Sequence, residues 1–314
     1  ALRHGTWTIA QLWLVWPSRL GLWDCAPRVR VGQDIRVVPN IRLVQSGHIT
    51  SQVMSSLFGV KENQSLGEGS EFHQLRDFVQ GMDVKAIDWK RSARKRALVA
   101  KDMHAERNHH VILCLDTGYL MQQDLSGVRR MDHAVTAALA TAWAAAIGGD
   151  QLGYFAYDAA PHHFETPGPG RRNFARMRSW SAALDPEGRE TNHTLAMSLL
   201  NARTPKRSLI IVMTDFVDTT SAELLLDNLA VLSRRHLVVF VSIRDPELDR
   251  IAAGLPHDLN GAAQVVAAHQ ALTDRRLVTE RLTRLGITVV DAAPGAITSR
   301  LVSTYLDIKA RELI

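Results

Sequence analysis

Two cysteines in 314 residues, Cys25 and Cys114, leave no material for a disulfide framework. Cys114 lies inside an apolar run, where a buried reduced thiol is the usual state. No run of about 18 or more apolar residues occurs, so the chain as given has no transmembrane helix. An excess of one charge is also missing. Lys and Arg total 37 against 32 Asp and Glu, a formal +5 that is mild for this size and does not by itself indicate nucleic acid. No Gly-x-Ser-x-Gly, phosphate loop, dinucleotide fingerprint or His-Glu-x-x-His is present, so no nucleophile and base are placed by motif. Internal repeats and low-complexity tracts are absent as well.

What is present describes an ordinary globular chain, 46% apolar and 22% charged, long enough for one large core or two modest ones. Residues 1 to about 45 read as short strands at 6–16, 28–31 and 34–38, punctuated by Pro17, Gly21, Pro27, Gly32 and Pro39. A stretch that short cannot enclose a core alone, and is expected to lean on the rest of the chain or on strands upstream of it. The opening at Ala1, without an initiator Met and already alternating like mid-sheet sequence, reads as a fragment.

From Val111 onward the rhythm changes. Short β-branched runs at 111–115, 152–157, 209–213, 237–243 and 287–290 alternate with helical segments at 131–147, 171–184, 194–200, 221–235 and 262–285. Near-continuous hydrophobicity in those strands predicts a sheet covered on both faces, a doubly wound, mostly parallel α/β fold. Residues 162–165 predict a return strand that adds one antiparallel edge, and 294–313 a final helix. This divides the chain into a β-rich partial domain at 1–45, a connector at 46–107 and an α/β domain at 108–314.

In such a sheet, ligands gather beyond the carboxyl ends of the strands near the point where strand order reverses. Asp116, Asp215, Asp245 and Asp291 fall there. Strand-end aspartates are also common helix caps and turn formers. The adjacent pairs His109-His110 and His162-His163 point to opposite faces of a strand, which is poor geometry for one metal.

Between the β-rich start and the first α/β strand runs the segment 67–107, with Glu71-Phe72, Leu75-Arg76, Gly81, Asp83 and Ile87-Asp88-Trp89-Lys90 at its centre. This pattern resembles the bacterial family catalogued as domain of unknown function fifty-eight, and the resemblance covers nearly the whole chain. It implies a von Willebrand A-like domain behind a small β region. It also implies a partnership with a MoxR-type AAA+ ATPase, in which this chain is a non-catalytic adaptor or scaffold of a chaperone-like or maturation system. Family members commonly carry two N-terminal membrane helices. The ATPase partnership in turn implies a cytoplasmic position, on the inner-membrane face if the parent protein carries such helices.

The resemblance further implies a metal-ion-dependent adhesion site built from Asp-x-Ser-x-Ser, a distant Thr and a later Asp. Here the first motif reads Asp116-Thr117-Gly118-Tyr119-Leu120, so both serines are replaced by residues without a side-chain oxygen. Thr214-Asp215 matches the later motif, and Thr191 or Thr194 stands for the distant Thr. Asp116 and Asp215 with one hydroxyl would hold at most a mostly hydrated Mg²⁺. The plainer reading, favoured here, keeps the carboxylates as caps and hydrogen-bond acceptors, with no cofactor. The rivals to a binding module are an Mg²⁺-dependent adhesion module and a metal-assisted hydrolase using the same carboxylates.

Seven cations lie between Lys85 and Lys101 against one acid, Asp88. Nucleic acid is not expected, because one aromatic, Trp89, accompanies them and no recognition motif is present. Two readings remain for the segment. In one it is a clamp, an ion network of Glu71, Arg76, Asp83, Asp88 and Glu106 with Arg94 and its neighbours, with Phe72, Leu75, Phe78, Ile87 and Trp89 as apolar anchors. In the other it is the recognition surface for the ATPase, with Trp89, Lys90 and Arg94 exposed as hot spots.

Overall fold

The computed structural model describes residues 5–37, 71–79, 82–104, 109–184, 188–217, 219–256 and 258–311. Pro39, Gly81 and Glu106 lie outside these residues, as do the side chains of Glu71, Phe72 and Arg76.

The chain begins with a hairpin of β1 (Gly5–Trp13) and β4 (Arg28–Val37), whose tip carries the short ladder of β2 (Trp16–Pro17) and β3 (Asp24–Cys25). Two strands expected at 28–31 and 34–38 are one. Gly32, at φ +60°, and a register shift between Ile9 and Gln11 absorb the irregularity as a bulge, so β4 bends instead of stopping. Trp7, Leu12, Val29 and Ile35 of the hairpin are all exposed, so among the described residues no core covers them.

A second hairpin pairs β5 (Glu71–Asp77) with β6 (Val99–His104) and carries the short helix α1 (Trp89–Lys95) between them. Among the described residues its buried apolar side chains are Ile87, Val99 and Ala100, with Ser92 donating to the Val99 carbonyl and accepting from the Val99 amide.

The body of the molecule is a six-stranded sheet. Its strands are β7 (His110–Asp116), β10 (Gln151–Tyr157), β11 (Pro161–Pro169), β12 (Leu209–Met213), β13 (Leu237–Ile243) and β14 (Thr288–Ala292), with a two-residue ladder of β8 (Asp124–Leu125) and β9 (Val128–Arg129) after β7. The order is β11-β10-β7-β12-β13-β14, all parallel except the β11 edge. The expected antiparallel edge is therefore present, and longer than 162–165.

Helices cover both faces. Val111, Leu113 and Leu115 of β7 face a core shared with α2 (Arg130–Ile147), α3 (Gly170–Ser181) and α8 (Ile297–Ala310). Ile112 and Cys114 face the other core, with α4 (His193–Arg203), α5 (Thr219–Ser233) and α7 (Leu259–Arg284). The period-two alternation of a strand makes both sets apolar, hence the unbroken hydrophobic run. Helix α2 lies against the sheet along most of its length, and its alanines let it approach closely. One further helix, α6 (Pro246–Ala252), starts at Pro246 directly after the Asp245 cap. Together these elements form a doubly wound, mostly parallel α/β sheet with helices on both faces.

Candidate functional site

Strand order reverses between β7 and β12, because the chain leaves β7 for β10 on one side and later returns to β12 on the other. Asp116 and Asp215 mark the carboxyl ends of these two neighbours. They are brought side by side, yet their chemistry is separate.

Asp116 is fully buried and accepts three hydrogen bonds. Its Oδ1 accepts from the Gly118 amide at 2.8 Å and the Thr191 hydroxyl at 2.7 Å, and its Oδ2 accepts from the Thr214 hydroxyl at 2.5 Å. Burial raises the carboxyl's pKa, opposed by the nearby His193 and by these donors. Of the two candidate threonines, Thr191 is the one that reaches Asp116. Thr194 does not, since its hydroxyl accepts from the Asn228 amide at 3.0 Å instead. The loop bearing Thr191 is zipped onto the rim by Tyr119 N donating to the Arg189 carbonyl and Asn192 N donating to the Asp158 carbonyl.

Asp215 is held by two arginines that reach it from opposite faces of the sheet. Arg130, in the first turn of α2, places Nη1 3.1 Å from Oδ2 and also donates to the Leu120 carbonyl. Arg275 of α7 places Nη1 3.1 Å from Oδ1, while its Nη2 donates to Ser242 at 2.5 Å and to Asp291 at 2.9 Å. Ser242 and the Phe216 amide donate to Asp215 Oδ1 as well. Burial lowers the Arg130 pKa against the pull of Asp215. For Arg275, burial works downward but Asp215 and Asp291 together outweigh it and raise the value.

The metal site implied by the von Willebrand A resemblance can be tested on these contacts. Gly118 and Leu120 supply no side-chain oxygen, and a Cβ built at Gly118 would overlap the Thr191 hydroxyl. The volume a serine needs is therefore filled by a group already committed to Asp116. Asp215 already faces two fixed positive charges, which would repel a third. Among the described residues no group of three or more His, Cys, Asp or Glu is placed to hold a metal. The donor set does not fit the oxygen octahedron of Mg²⁺.

Among the described residues of this rim no nucleophile and base are paired. His193 stands near enough to Asp116 to sense its charge, and its ring meets Tyr157 edge-on at 6.0 Å. Burial lowers its pKa, its Nδ1 is buried without a partner, and it hydrogen-bonds neither Asp116 nor a hydroxyl at this rim. The remaining strand-end acids are structural. Asp245 caps α6 through the Glu247 amide and accepts from Gln123, and Asp291 pairs with Arg275 and Arg244.

In the connector, Asp83 caps the single turn at Val84–Ala86 through the Lys85 amide. Asp88 caps α1 through the Arg91 amide, which holds its carboxyl below the usual range, and stands 3.7 Å from Lys101. Trp89 is no anchor. It opens α1 and is 64% exposed, with Lys90 and Arg94 exposed beside it. Arg94 makes no ion pair among the described residues, where Asp83 and Asp88 serve as caps instead.

Arg130, Arg275, Ser242 and His193 escape sequence reading. The only signal for Arg130 is a cation at the head of an otherwise alanine-rich apolar helix; Arg275 carries none, standing next to Arg276 on a charged helix.

Comparison with known proteins bears on the whole arrangement. "Uncharacterized protein Rv1480" of Mycobacterium tuberculosis and "Uncharacterized protein Mb1516" of Mycobacterium bovis are each 25% identical over 200 residues, 62% of this chain and 62% of the relative. The matched region thus spans under two thirds of those relatives' length. Among solved structures, BatB from Bacteroides thetaiotaomicron is similar at 16% identity and TM-score 0.44, over 65% of this chain and all of that one. The von Willebrand domain of the type V pili tip protein Mfa5 from Porphyromonas gingivalis gives 10% and 0.42, over 65% and 96%. At these TM-scores the likenesses add nothing to the fold already described. The family described as "Protein of unknown function DUF58" matches residues 74–283, well over half of the sequence, from inside β5 to the end of α7. The chain belongs to that family.

Proposed function

We propose that the protein is a non-catalytic binding module, and that its partner is an AAA+ ATPase of the MoxR type which it serves as adaptor or scaffold. The observation that carries this reading is the display of Trp89 on α1. A tryptophan 64% exposed in the first turn of a capped helix, with Lys90 and Arg94 beside it, has the composition of an interface hot spot and no role in the core. The rim of the sheet supports the same reading from the other side. Its carboxylates are satisfied by hydroxyls and guanidinium groups of the same chain, so binding through a shared metal ion is not what this rim is built for.

The experiment is a pull-down of the MoxR-type ATPase of the same organism with the wild-type chain, Trp89→Ala and Arg94→Glu, repeated with and without a chelator. Both variants are expected to fold and to lose at least about tenfold in affinity, a typical hot-spot loss. Binding by the wild type is expected to be indifferent to the chelator. Full binding by the two folded variants would overturn the assignment of the surface, and chelator-sensitive binding would restore the adhesion-site reading.

A further inference from the structure

The tip of the β1/β4 hairpin is a built structure that turns its largest apolar side chains outward. Leu20 and Leu22 at the apex are 77% and 70% exposed, and Trp13 and Trp23 behind them are 61% each. The turn below them is closed internally. The Ser18 amide donates to the Trp23 carbonyl at 2.8 Å, and Gly21, at φ +64°, donates to the Ser18 carbonyl at 2.9 Å. The Ser18 hydroxyl accepts from the amides of Leu22 and Trp23 at 3.2 and 3.4 Å. Those amides would therefore enter an apolar medium already paired, which lowers the cost of burying the turn there.

We infer that this tip docks into the interface of an anionic lipid bilayer. The side chains are graded along the hairpin as a bilayer is graded in depth. Leucines occupy the apex, tryptophans stand behind them at the level favoured by indole rings, and cations follow, with Arg28 opposite Trp13 and Arg30 opposite Gln11. The Arg28 guanidinium lies 5.4 Å from the centre of the Trp13 ring, which holds it beside the apolar surface. Arg19, at the apex, has the long stem needed to bring its charge back to the headgroups. Between residues 13 and 31 these three arginines face one acid, Asp24, so the tip complements a negative surface. The same charge disfavours a second copy of the chain as the occupant, since two tips would bring like charges together.

The test is flotation of the 314-residue chain with vesicles of phosphatidylethanolamine and phosphatidylglycerol, compared with vesicles of phosphatidylcholine alone. The chain is expected to float with the anionic vesicles, and the double variant Leu20→Glu/Leu22→Glu to float at least about tenfold less, with an unchanged far-UV circular dichroism spectrum. Tryptophan fluorescence should be quenched by lipids brominated on the acyl chain, and the quench should fall in Trp16→Phe/Trp23→Phe while flotation persists. Leu255→Glu, at an exposed leucine far along the chain, should float as the wild type does. Failure of the wild type to float, equal flotation of the Leu20→Glu/Leu22→Glu variant, or a dimer in sedimentation that this variant dissolves would each overturn the inference.

Discussion

The α/β body and the leading region treat the same kinds of side chain in opposite ways. In the body, charged groups are buried and answered. Asp215 sits between Arg130 and Arg275, and at the opposite end of the sheet the buried Asp150 accepts from Tyr305 and lies 2.7 Å from Lys309. In the leading region, apolar groups are displayed, with Leu20 and Leu22 on a hairpin tip and Trp89 on a short helix. Buried ion pairs fix how helices sit on a sheet and contribute little to contact with other molecules. Side chains displayed in this way contribute little to folding; a tryptophan so placed suits a protein interface and leucines a lipid one. On the function proposed above, the difference gives rigidity to the body and recognition to what precedes it.

The largest test of that division is to remove one arginine from Asp215. Arg275→Met or Arg130→Met leaves a buried carboxylate short of a counter-charge and is expected to cost about 3–5 kcal/mol in urea unfolding. A loss below about 1 kcal/mol would mean the clasp across the sheet is ornamental. Next in size is Gly118→Ser with Leu120→Ser, which rewrites the missing serines. The new Cβ at 118 collides with Thr191, so a loss of about 1–3 kcal/mol is expected, with no Mg²⁺ binding by calorimetry. Tight Mg²⁺ binding by the double variant would show that serines alone, and not the arginines, decide the character of the rim.

How much of this is legible in the sequence depends on the range of the forces involved. The strands at 111–115, 209–213 and 237–243 are legible because burial on both faces leaves a continuous apolar run, and α2 because its alanines repeat without interruption. Asp116 and Asp215 are legible by position and motif. Thr191 and Thr194 cannot be separated on paper, since both are hydroxyls before or at the start of one helix, and only the fold turns one toward Asp116 and the other toward Asn228. Arg275 is 14% exposed and Arg276 72%, yet the sequence writes them as twins. Trp89 misleads in the other direction. A tryptophan in an apolar pattern reads as an anchor, but the Asp88 cap makes it the first helical residue and leaves its ring in solvent.

A smaller effect concerns pH. Burial lowers the pKa of His133, His163, His193 and His236 below the ordinary 6.5. The unfolded chain then takes up protons that the folded one refuses, so these groups leave stability intact above about pH 6.5 and drain it as pH falls from there toward their lowered folded values. Three of the four lie in the body's covered layers, and none lies in the leading region. His236 is the cleanest case, being nearly inaccessible with both ring nitrogens unpartnered. His236→Gln should make the decline shallower in thermal melts between pH 7 and pH 5, about the range in which an imidazole titrates; an unchanged slope would place the acid sensitivity elsewhere.

The smallest expected change in stability is the most telling for function. Trp89→Ala removes the largest side chain of α1, and in a core that truncation would cost about 3–5 kcal/mol. At a site 64% exposed it should fall within about 0.5 kcal/mol of zero, because the ring has few neighbours to lose. Unfolding and partner binding therefore separate at this residue. A large loss of stability would return Trp89 to the role of clamp between the two regions, whereas an unmoved unfolding curve with lost binding would leave the ring no role except contact with another molecule.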